Sequence, residues 1–330
     1  MKIILPVAGM GTRLRPQTCF LPKALLPVGG NCILGHILES FDSLDVSEYI
    51  FTTGYKSELV EEYVRTLNIP HRFVKQEDPQ GLGEAISLCT PFLSDDEPVL
   101  IVLGDTLFEA DLNELTSRDH NALCIRQVDH PERFGVAVAD ASGTITELVE
   151  KPSEFVSDQA LVGIYWIKDT TALRSSLDQL IREDIRTRGE YQLTDALVLM
   201  MESGTEFKTA SIIEWLDCGR PETLLATNAK VLKGQHFVAP TAQLENCTII
   251  EPCHISADVV AKNSTLGPNL SLFKGCQVQD SQLSESVIDQ KSQIISSKLS
   301  NAIVGKECYL ETQKGRMSIG DYTHLGGSFN

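Results

Sequence analysis

The chain has 330 residues, of which 42% are hydrophobic and 22% are charged, and its formal net charge at pH 7 is −17. This length allows one large domain and a smaller one, with a sizeable buried core. The acidic balance excludes a general nucleic-acid binder, because phosphate backbones are held by basic surfaces. No apolar stretch approaches the roughly 20 residues that span a bilayer. We therefore expect neither nucleic acid nor a membrane as a partner.

The cysteines and the first residues favour a reducing compartment. Nine cysteines, an odd number, are scattered singly without a Cys-x-x-Cys pair, whereas secreted disulfide frameworks and structural zinc sites need paired spacings. Residues 1–7 form too short an apolar run for a signal peptide and lead directly into a glycine loop. We expect free thiols and a cytoplasmic protein.

Short apolar runs alternate with amphipathic stretches over the first two thirds of the chain. The predicted strands cover residues 2–7, 48–53, 99–103 and 122–128. The predicted helices, with apolar residues at helical spacing, cover residues 33–43, 57–67, 82–92, 172–184 and 193–202. This alternation indicates an α/β domain with a mostly parallel sheet, which we place at residues 1–233. Such sheets bind ligands at the carboxyl ends of their strands.

The pattern changes near residue 234, after which Ser, Gln, Asn and single aliphatic residues dominate. The aliphatic residues recur at spacings near six, as Ile249, Ile255, Leu272, Val278, Leu283, Ile288, Ile294 and Leu299. One inward aliphatic side chain in each unit predicts a parallel β-helix over residues 234–330. A small antiparallel β domain is the alternative. Because β-helices offer flat stacking faces, we also expect a homo-oligomer.

The first strand runs into Ala8-Gly9-Met10-Gly11-Thr12-Arg13-Leu14. Glycines after a strand let backbone N–H groups approach a phosphate closely. The dinucleotide fingerprint would need a glycine where Leu14 stands, and the Walker pattern would need Gly-Lys-Ser/Thr, so neither is present. The segment therefore predicts a phosphate loop that carries its own cation, Arg13. Lys23 follows between flanking prolines, which restrict the backbone and fix a second cation.

The segment PVAGMGTRLRPQT, followed by LPKALLPV, resembles the signature of the sugar-phosphate nucleotidylyltransferases, a family that includes glucose-1-phosphate thymidylyltransferase. The tail is similar to the left-handed β-helix of the long-form thymidylyltransferases. The resemblance implies a Rossmann-like domain of the nucleotide-diphospho-sugar transferase type, followed by that β-helix. Pro6-Val7-Ala8 departs from the commoner Leu-Ala-Gly or Leu-Ala-Ala, which implies a modest change of loop geometry. No clear acetyl-transfer histidine occurs in the tail.

The resemblance also implies roles on the nucleotide side of the site. Arg13, Lys23 and Asp105 match catalytic positions. Gln76 would bond the edge of the base, and the Gly81 backbone would contact a neighbouring atom. The nucleotide-binding set implied by the resemblance is Ala8, Gly9, Gly11, Thr12, Gln76 and Gly81.

Two aspartates are implied as ligands of a magnesium cofactor. Asp105 ends a strongly apolar run, and a carboxylate at the carboxyl end of a buried parallel strand lies in the ligand crevice. Asp217 would be the second ligand by resemblance. Two carboxylates are a typical protein share for Mg²⁺, with phosphate oxygens and water completing the octahedron.

The sugar-phosphate side is implied by four further segments of the pattern. Lys151 matches the lysine that binds the sugar's phosphate, and Glu150 matches the residue that holds a sugar hydroxyl. The full set implied by the resemblance is Gly135, Glu150, Lys151, Gly163, Tyr165 and Glu190.

The activity implied is transfer of a nucleotidyl group from a nucleoside triphosphate to a sugar 1-phosphate with release of pyrophosphate. The motif pattern and the tail favour dTTP with glucose 1-phosphate. UTP with glucose 1-phosphate and GTP with mannose 1-phosphate remain alternatives. A non-catalytic subunit that binds sugar nucleotides is a further alternative, which loss of Arg13, Lys23 or a metal carboxylate would have favoured. All of these residues are present.

Overall fold

A computed structural model describes residues 1–327, so the last three residues of the predicted β-helix lie outside the described residues. The helices are α1 (Ile33–Glu39), α2 (Ser57–Arg65), α3 (Leu82–Ser87), α4 (Leu112–Thr116), α5 (Thr170–Arg182), α6 (Leu193–Glu202) and α7 (Pro221–Leu232). Short 3₁₀ helices cover Thr12–Leu14, Gln17–Cys19, Lys23–Leu25, Thr90–Phe92 and Pro131–Arg133. Within the described range, no helix has the length and apolar character that crossing a bilayer requires. None of the nine cysteines, which all lie in that range, forms a disulfide.

The strands fall into a first and a second series along the chain. The first series is β1 (Lys2–Pro6), β2 (Pro27–Val28), β3 (Asn31–Cys32), β4 (Glu48–Thr53), β5 (His71–Lys75), β6 (Val99–Val102), β7 (Thr106–Glu109), β8 (Asn121–Gln127), β9 (Gly135–Ala139), β10 (Ile145–Glu150), β11 (Gln159–Ile167), β12 (Phe207–Ser211) and β13 (Glu214–Asp217). The second series is β14 (Phe237–Val238), β15 (Gln243–Glu245), β16 (Thr248–Ile249), β17 (Cys253–Ile255), β18 (Val260–Lys262), β19 (Thr265–Leu266), β20 (Leu270–Leu272), β21 (Gln277–Gln279), β22 (Gln282–Ser284), β23 (Val287–Ile288), β24 (Gln293–Ile295), β25 (Lys298–Val304), β26 (Tyr309–Glu311), β27 (Lys314–Ile319) and β28 (His324–Leu325).

The chain divides into two compact units. The first, called here the sheet unit, contains Met1–Gly9 and Ile37–Trp215. The second, called the coil unit, contains Met10–His36 and the chain from Leu216 onward. The predicted domain boundary after residue 233 stays a prediction.

A sheet in the order β10-β9-β11-β6-β1-β4-β5 forms the centre of the sheet unit. The strands β6, β1, β4 and β5 are parallel, with Ile4 paired to both Ile50 and Ile101. These three side chains are fully buried, as expected for parallel strands covered on both faces. Apolar residues of α3, α5 and α6 join the same core. The predicted α/β fold is therefore confirmed.

The sheet continues beyond its parallel centre through β11, a strand that we did not predict. This strand pairs antiparallel with β6, β8 and β9, and β12 pairs parallel with β8. Its register shifts between Leu161 and Tyr165, on either side of Gly163, whose φ of 84° lies in the left-handed region. The predicted helix over residues 82–92 ends early, at Ser87. Pro91 lacks an amide hydrogen and cannot extend the α-helix, so the chain continues only as the 3₁₀ turn Thr90–Phe92.

The coil unit contains a parallel β-helix, as predicted, and the antiparallel alternative is wrong. Its strands stack in parallel ladders such as β14-β17-β20-β23 and β15-β18-β21-β24-β26-β28. Equivalent side chains of successive coils are 17 residues apart early in the helix, as for Asn246 and Asn263, and 16 apart later, as for Ser281 and Ser297. Because the coil length changes, the aliphatic residues recur at spacings near six without keeping one fixed spacing. The predicted left-handedness stays a prediction.

Polar ladders connect successive coils of the β-helix. Inside, the Ser281 amide donates to the Ser264 hydroxyl across 3.1 Å. At one corner, Asn246 donates to Asn263 at 2.9 Å and Asn263 donates to Asp280 at 3.0 Å. These corner residues have φ values between 47° and 52°, a conformation that asparagine and aspartate tolerate better than other non-glycine residues.

Candidate active site

A carboxylate, an ammonium and a hydroxyl meet at the end of β10 in the sheet unit. Glu150 Oε1 lies 2.8 Å from Lys151 Nζ, and Thr194 Oγ1 donates to Glu150 Oε2 at 2.7 Å. The Glu150 side chain is only 9% exposed, whereas that of Lys151 is 34% exposed. The carboxylate is thus fixed from two sides, while the ammonium remains accessible to a ligand.

The backbone at Lys151 is held in an unusual conformation. Its φ of 44° is in the left-handed region, which is costly for a residue with a side chain. The Lys151 amide donates to the Phe134 carbonyl at 2.9 Å, and Arg188 donates to the Lys151 carbonyl at 2.7 Å. Two hydrogen bonds therefore hold the lysine in place.

Two of the predicted sugar-side glycines lie close to neighbouring side chains. A Cβ at Gly135 would lie 2.9 Å from Glu150 Oε2 and 3.0 Å from Thr194 Oγ1. A Cβ at Gly163 would lie 2.7 Å from the Leu103 side chain, and the Leu103 amide donates to the Gly163 carbonyl at 2.9 Å. The two glycines thus lie against Glu150 and against the end of β6.

The two remaining sugar-side predictions differ in exposure. Tyr165 is buried in the core of the sheet unit. Burial raises the pKa of its phenol most, and the charges of Glu150 and, more weakly, Asp105 raise it further. Glu190 is exposed, and its carboxylate accepts a hydrogen bond from Gln192 at 3.0 Å. Glu150 and Asp105 are therefore both near enough to Tyr165 for their charges to act on it.

Sequence reasoning missed three polar residues around Glu150, namely Thr194, Arg188 and Asp195. Arg188 adds a second cation beside Lys151. Asp195 Oδ1 accepts from Thr187 at 3.1 Å, and Oδ2 is buried with no hydrogen-bond partner among the described residues. Burial raises the pKa of Asp195 most, the Thr187 bond lowers it, and the Glu150 charge raises it. Of residues 189–195, the resemblance implied a role only for Glu190.

The predicted base-recognition residues also lie together. Gln76 is 5% exposed, and its amide nitrogen donates to the Gly81 carbonyl at 3.2 Å and to the Glu84 carboxylate. Both neighbours only accept hydrogen bonds, so they fix the orientation of the Gln76 amide. Gly81 has a φ of 128°, and a Cβ there would lie 2.4 Å from the Tyr191 carbonyl oxygen. A side chain at position 81 would therefore displace the backbone at Tyr191.

The ends of β1 and β6 meet where the phosphate loop begins. The Gly104 amide donates to the Pro6 carbonyl at 3.3 Å, and a Cβ at Gly104 would lie 2.4 Å from the Val7 side chain. Asp105 follows and accepts a hydrogen bond from Thr106 at 3.2 Å. Ala8 is buried. This places Asp105 at the carboxyl edge of the parallel strands, where the sequence predicted it.

From Met10 onward the phosphate loop belongs to the coil unit. Gly11 has a φ of 61°, and a Cβ there would lie 3.0 Å from the Lys23 Cβ and 3.0 Å from the Thr18 methyl. Lys23 is 8% exposed, and its stem therefore packs on Gly11. Gly9 and Thr12 are exposed, which leaves the loop backbone accessible to a phosphate.

Arg13 and Asp217 converge on Gly219 in the same unit. The Gly219 amide donates to Asp217 Oδ1 at 2.8 Å. A Cβ at Gly219 would lie 2.7 Å from that oxygen and 3.3 Å from Arg13 Nη2. The guanidinium and the carboxylate are therefore brought to the same short turn after β13.

Asp105, in the sheet unit, and Asp217, in the coil unit, each offer the type of donor that Mg²⁺ prefers. Both side chains offer only carboxylate oxygens, and both residues are partly exposed. The described residues contain no group of three or more His, Cys, Asp or Glu arranged around a metal position. Mg²⁺ does not need such a cage, because it binds one or two carboxylates and takes its remaining ligands from substrate phosphates and water.

Comparisons with known proteins identify the family of this chain. The nucleotidyl transferase family matches residues 1–234. The bifunctional protein GlmU of Methanococcus aeolicus is 32% identical over 76% of this chain. The matched region covers only 60% of the length of that protein. UTP--glucose-1-phosphate uridylyltransferase AglF of Haloferax volcanii is 32% identical over 67% of this chain and 93% of its own length.

Further relatives extend over more of the chain or have known structures. Glucose-1-phosphate thymidylyltransferase of Streptomyces griseus is 26% identical over 98% of both chains. A crystal structure from Bacillus anthracis, assigned as a glucose-1-phosphate thymidylyltransferase in complex with sucrose, superposes with a TM-score of 0.60 at 28% identity, covering 72% of this chain and 98% of that one. This chain belongs to the nucleotidyl transferase family, as a sugar-phosphate nucleotidyltransferase with a C-terminal extension.

Proposed function

We propose that this protein transfers a nucleotidyl group from a nucleoside triphosphate to a sugar 1-phosphate and releases pyrophosphate, with dTTP and glucose 1-phosphate as its substrates. The observation that carries the proposal is the arrangement of Glu150, Lys151 and Thr194. It offers a fixed carboxylate for sugar hydroxyls and an accessible ammonium for the sugar's phosphate. A surface ion pair without a ligand would not need a lysine backbone that is held in the left-handed region by two hydrogen bonds.

The reaction needs little chemistry from the protein. One oxygen of the sugar 1-phosphate attacks the α-phosphorus of the nucleotide, the bond from that phosphorus to the β-phosphate bridging oxygen breaks, and pyrophosphate leaves. The nucleophile is already an anion, so neither a general base nor a covalent intermediate is required. Catalysis then consists of positioning and of neutralising negative charge. Lys151, supported by Arg188, offsets the repulsion between the two anionic substrates.

The triphosphate is assigned to the phosphate loop and its cations. Backbone amides of residues 9–12 donate to phosphate oxygens, and Arg13 and Lys23 contribute positive charge. Asp105 and Asp217 would hold Mg²⁺, which supplies charge neutralisation on the phosphates when it is bound. The Gly219 amide holds one oxygen of Asp217, which limits how that carboxylate can turn.

The base preference is argued from Gln76. Because its nitrogen is directed at two acceptors, its oxygen is the group that can face a base. An amide oxygen accepts from the N3–H of thymine or uracil, whereas cytosine has an acceptor at that position. The full-length similarity to a thymidylyltransferase favours dTTP. UTP is the second candidate, because a relative named as a uridylyltransferase matches 67% of this chain and uracil presents the same N3–H.

The test is pyrophosphate release from dTTP, UTP, GTP, ATP and CTP, each with glucose 1-phosphate, in Mg²⁺ and in EDTA. We expect a magnesium-dependent signal that is strongest with dTTP. A stronger signal with UTP would keep the chemistry and change the substrate. Absence of signal with all five nucleotides, and with mannose, galactose and glucosamine phosphates, would favour a non-catalytic sugar-nucleotide-binding subunit.

A further inference from the structure

A buried amide in the coil unit joins the segment after the phosphate loop to the β-helix. Gln17 is 4% exposed. Its nitrogen lies 2.9 Å from the Ser318 hydroxyl, 3.3 Å from the Ile319 carbonyl and 3.4 Å from the Ile303 carbonyl. Ser318 and Ile319 belong to β27 and Ile303 belongs to β25, so one side chain bonds two neighbouring coils.

Two further contacts lie on either side of Gln17. A Cβ at Gly320 would lie 3.1 Å from the Pro16 Cβ, so the proline packs directly on that glycine. The Phe20 ring meets the Tyr322 ring edge to face, with centroids 5.7 Å apart. Pro16, Gln17 and Phe20 therefore all contact the last coils of the β-helix.

The same segment contacts the phosphate loop on its other side. Thr18, the neighbour of Gln17 in sequence, donates its hydroxyl hydrogen to the Gly11 carbonyl at 2.9 Å. The Thr18 methyl and the Lys23 Cβ each lie 3.0 Å from the position that a Cβ at Gly11 would occupy. A continuous series of contacts thus runs from β25 and β27 through Gln17 and Thr18 to the loop that carries Arg13.

The buried amide of Gln17 orients the segment of residues 16–20 and does not only fill space. Burying a primary amide is unfavourable unless its hydrogen bonds are replaced. An aliphatic residue of similar size would fill the same space without directional bonds. The amide therefore selects one position of the segment relative to the strand carbonyls. The transfer chemistry described above does not use Gln17.

We propose that Gln17 is a positioning residue through which the β-helix holds the phosphate loop in its nucleotide-binding conformation. The proposal rests on the proposed function, since it assigns the loop to the nucleoside triphosphate. It makes the last coils part of the nucleotide-binding apparatus. Loss of the Gln17 bonds should weaken binding of the nucleotide and leave binding of the sugar phosphate unchanged.

The test compares the variants Gln17→Met and Gln17→Glu with the wild type. Methionine keeps the length and removes the donor, while glutamate points a carboxylate at two carbonyl oxygens. The measurements are KM for dTTP, KM for glucose 1-phosphate, and the Kd of Mg–dTTP by calorimetry. We expect Kd and KM for dTTP to rise about tenfold in Gln17→Met, the effect of losing one or two buried hydrogen bonds, and KM for glucose 1-phosphate to change less than twofold. Should the glutamate variant fail to fold, the methionine variant carries the test.

The control is Ser292→Ala, which weakens the same β-helix without touching the segment. Ser292 donates to the Gly305 carbonyl at 2.7 Å and accepts from the Cys308 amide at 3.0 Å. We expect this variant to lower Tm and to leave both KM values unchanged. For Gln17→Glu, KM for dTTP should fall towards the wild-type value as pH is lowered, because the protonated carboxyl regains one donor.

Three results would overturn the proposal: an unchanged Kd for Mg–dTTP in both Gln17 variants, an equal change in the two KM values, or the same selective change in Ser292→Ala. Failure of the proposed function would look different. In that case the wild type would form no pyrophosphate, while calorimetry would still report whether Gln17 affects nucleotide binding.

Discussion

Adding one methyl group at Gly135 should damage the sugar-phosphate site selectively. In Gly135→Ala the new carbon would lie 2.9 Å from Glu150 Oε2 and 3.0 Å from Thr194 Oγ1. Both distances are shorter than ordinary contacts between carbon and oxygen, so the carboxylate must move. The 2.7 Å bond from Thr194 to Glu150 is then lengthened or lost. The backbone φ of Gly135 is not in the left-handed region, so alanine adds no conformational strain of its own.

The magnitude follows from the type of bond that is disturbed. A hydrogen bond to a charged group contributes about 1.5–3 kcal/mol, and about 1.4 kcal/mol corresponds to a factor of ten. We therefore expect kcat/KM for glucose 1-phosphate to fall by about 10- to 100-fold. KM for the nucleotide should change less than about twofold, since Gly135 has no part in the residues assigned to the triphosphate.

Steady-state kinetics with each substrate varied in turn provides the assay. Gly204→Ala is the matched control, because its added carbon meets no atom within 4 Å while its φ of 92° imposes backbone strain. This control should lower Tm without changing either KM. Equal losses for both substrates in Gly135→Ala, or a wild-type KM for glucose 1-phosphate, would refute the assignment of this site to the sugar phosphate.

The remaining predictions concern charge, metal and pH. Lys151→Ala should raise KM for the sugar phosphate far more than KM for the nucleotide in initial-rate measurements, and an unchanged sugar-phosphate KM would remove Lys151 from this role. EDTA should abolish turnover and Mg²⁺ restore it, with Asp217→Asn requiring more Mg²⁺ for half-maximal rate; equal Mg²⁺ requirements would count against Asp217 as a ligand. Burial raises the pKa of Asp289 in the β-helix to about 6. Because the folded-state pKa lies above the unfolded value, this group favours the folded state most below pH ~4 and loses that contribution as pH rises through about 6, by at most about 3 kcal/mol. Thermal unfolding at several pH values should show a smaller decline from pH 4.5 to 7.5 in Asp289→Asn than in the wild type.

Local patterns in the sequence predicted the features whose chemistry is local. The glycine turn after β1 and the aspartate after β6 follow from a strand, a loop and a change of residue type within a few positions. The alternation of strands and helices predicted the α/β fold class. The spacing of the aliphatic residues predicted the β-helix. The side chains of Ile255, Leu272 and Leu299, which were expected to face inward, are buried.

Features that depend on distant contacts could not be predicted in the same way. The antiparallel strand β11 lies between β6 on one side and β8 and β9 on the other, and no short pattern shows which strands it pairs with. Nothing in the local sequence distinguishes Gln17 from other polar residues, because its partners are about 300 residues away in sequence and include two backbone carbonyls. The left-handed conformation of Lys151, with a φ of 44°, is likewise held by a bond from a distant part of the chain, the Phe134 carbonyl. That of Arg188, with a φ of 54°, belongs to a two-residue turn that hydrogen bonds between Thr187 and Glu190 close. Residue preference alone would argue against both.

The most direct test of the central claim is to identify the products formed from dTTP and glucose 1-phosphate in the presence of Mg²⁺. Mass spectrometry of the nucleotide fraction, together with an enzymatic count of pyrophosphate, gives both product identity and stoichiometry. The account predicts dTDP-glucose and pyrophosphate in equal amounts, with neither formed when the sugar phosphate is omitted. Release of pyrophosphate without a sugar nucleotide, or formation of dTDP and inorganic phosphate, would contradict it.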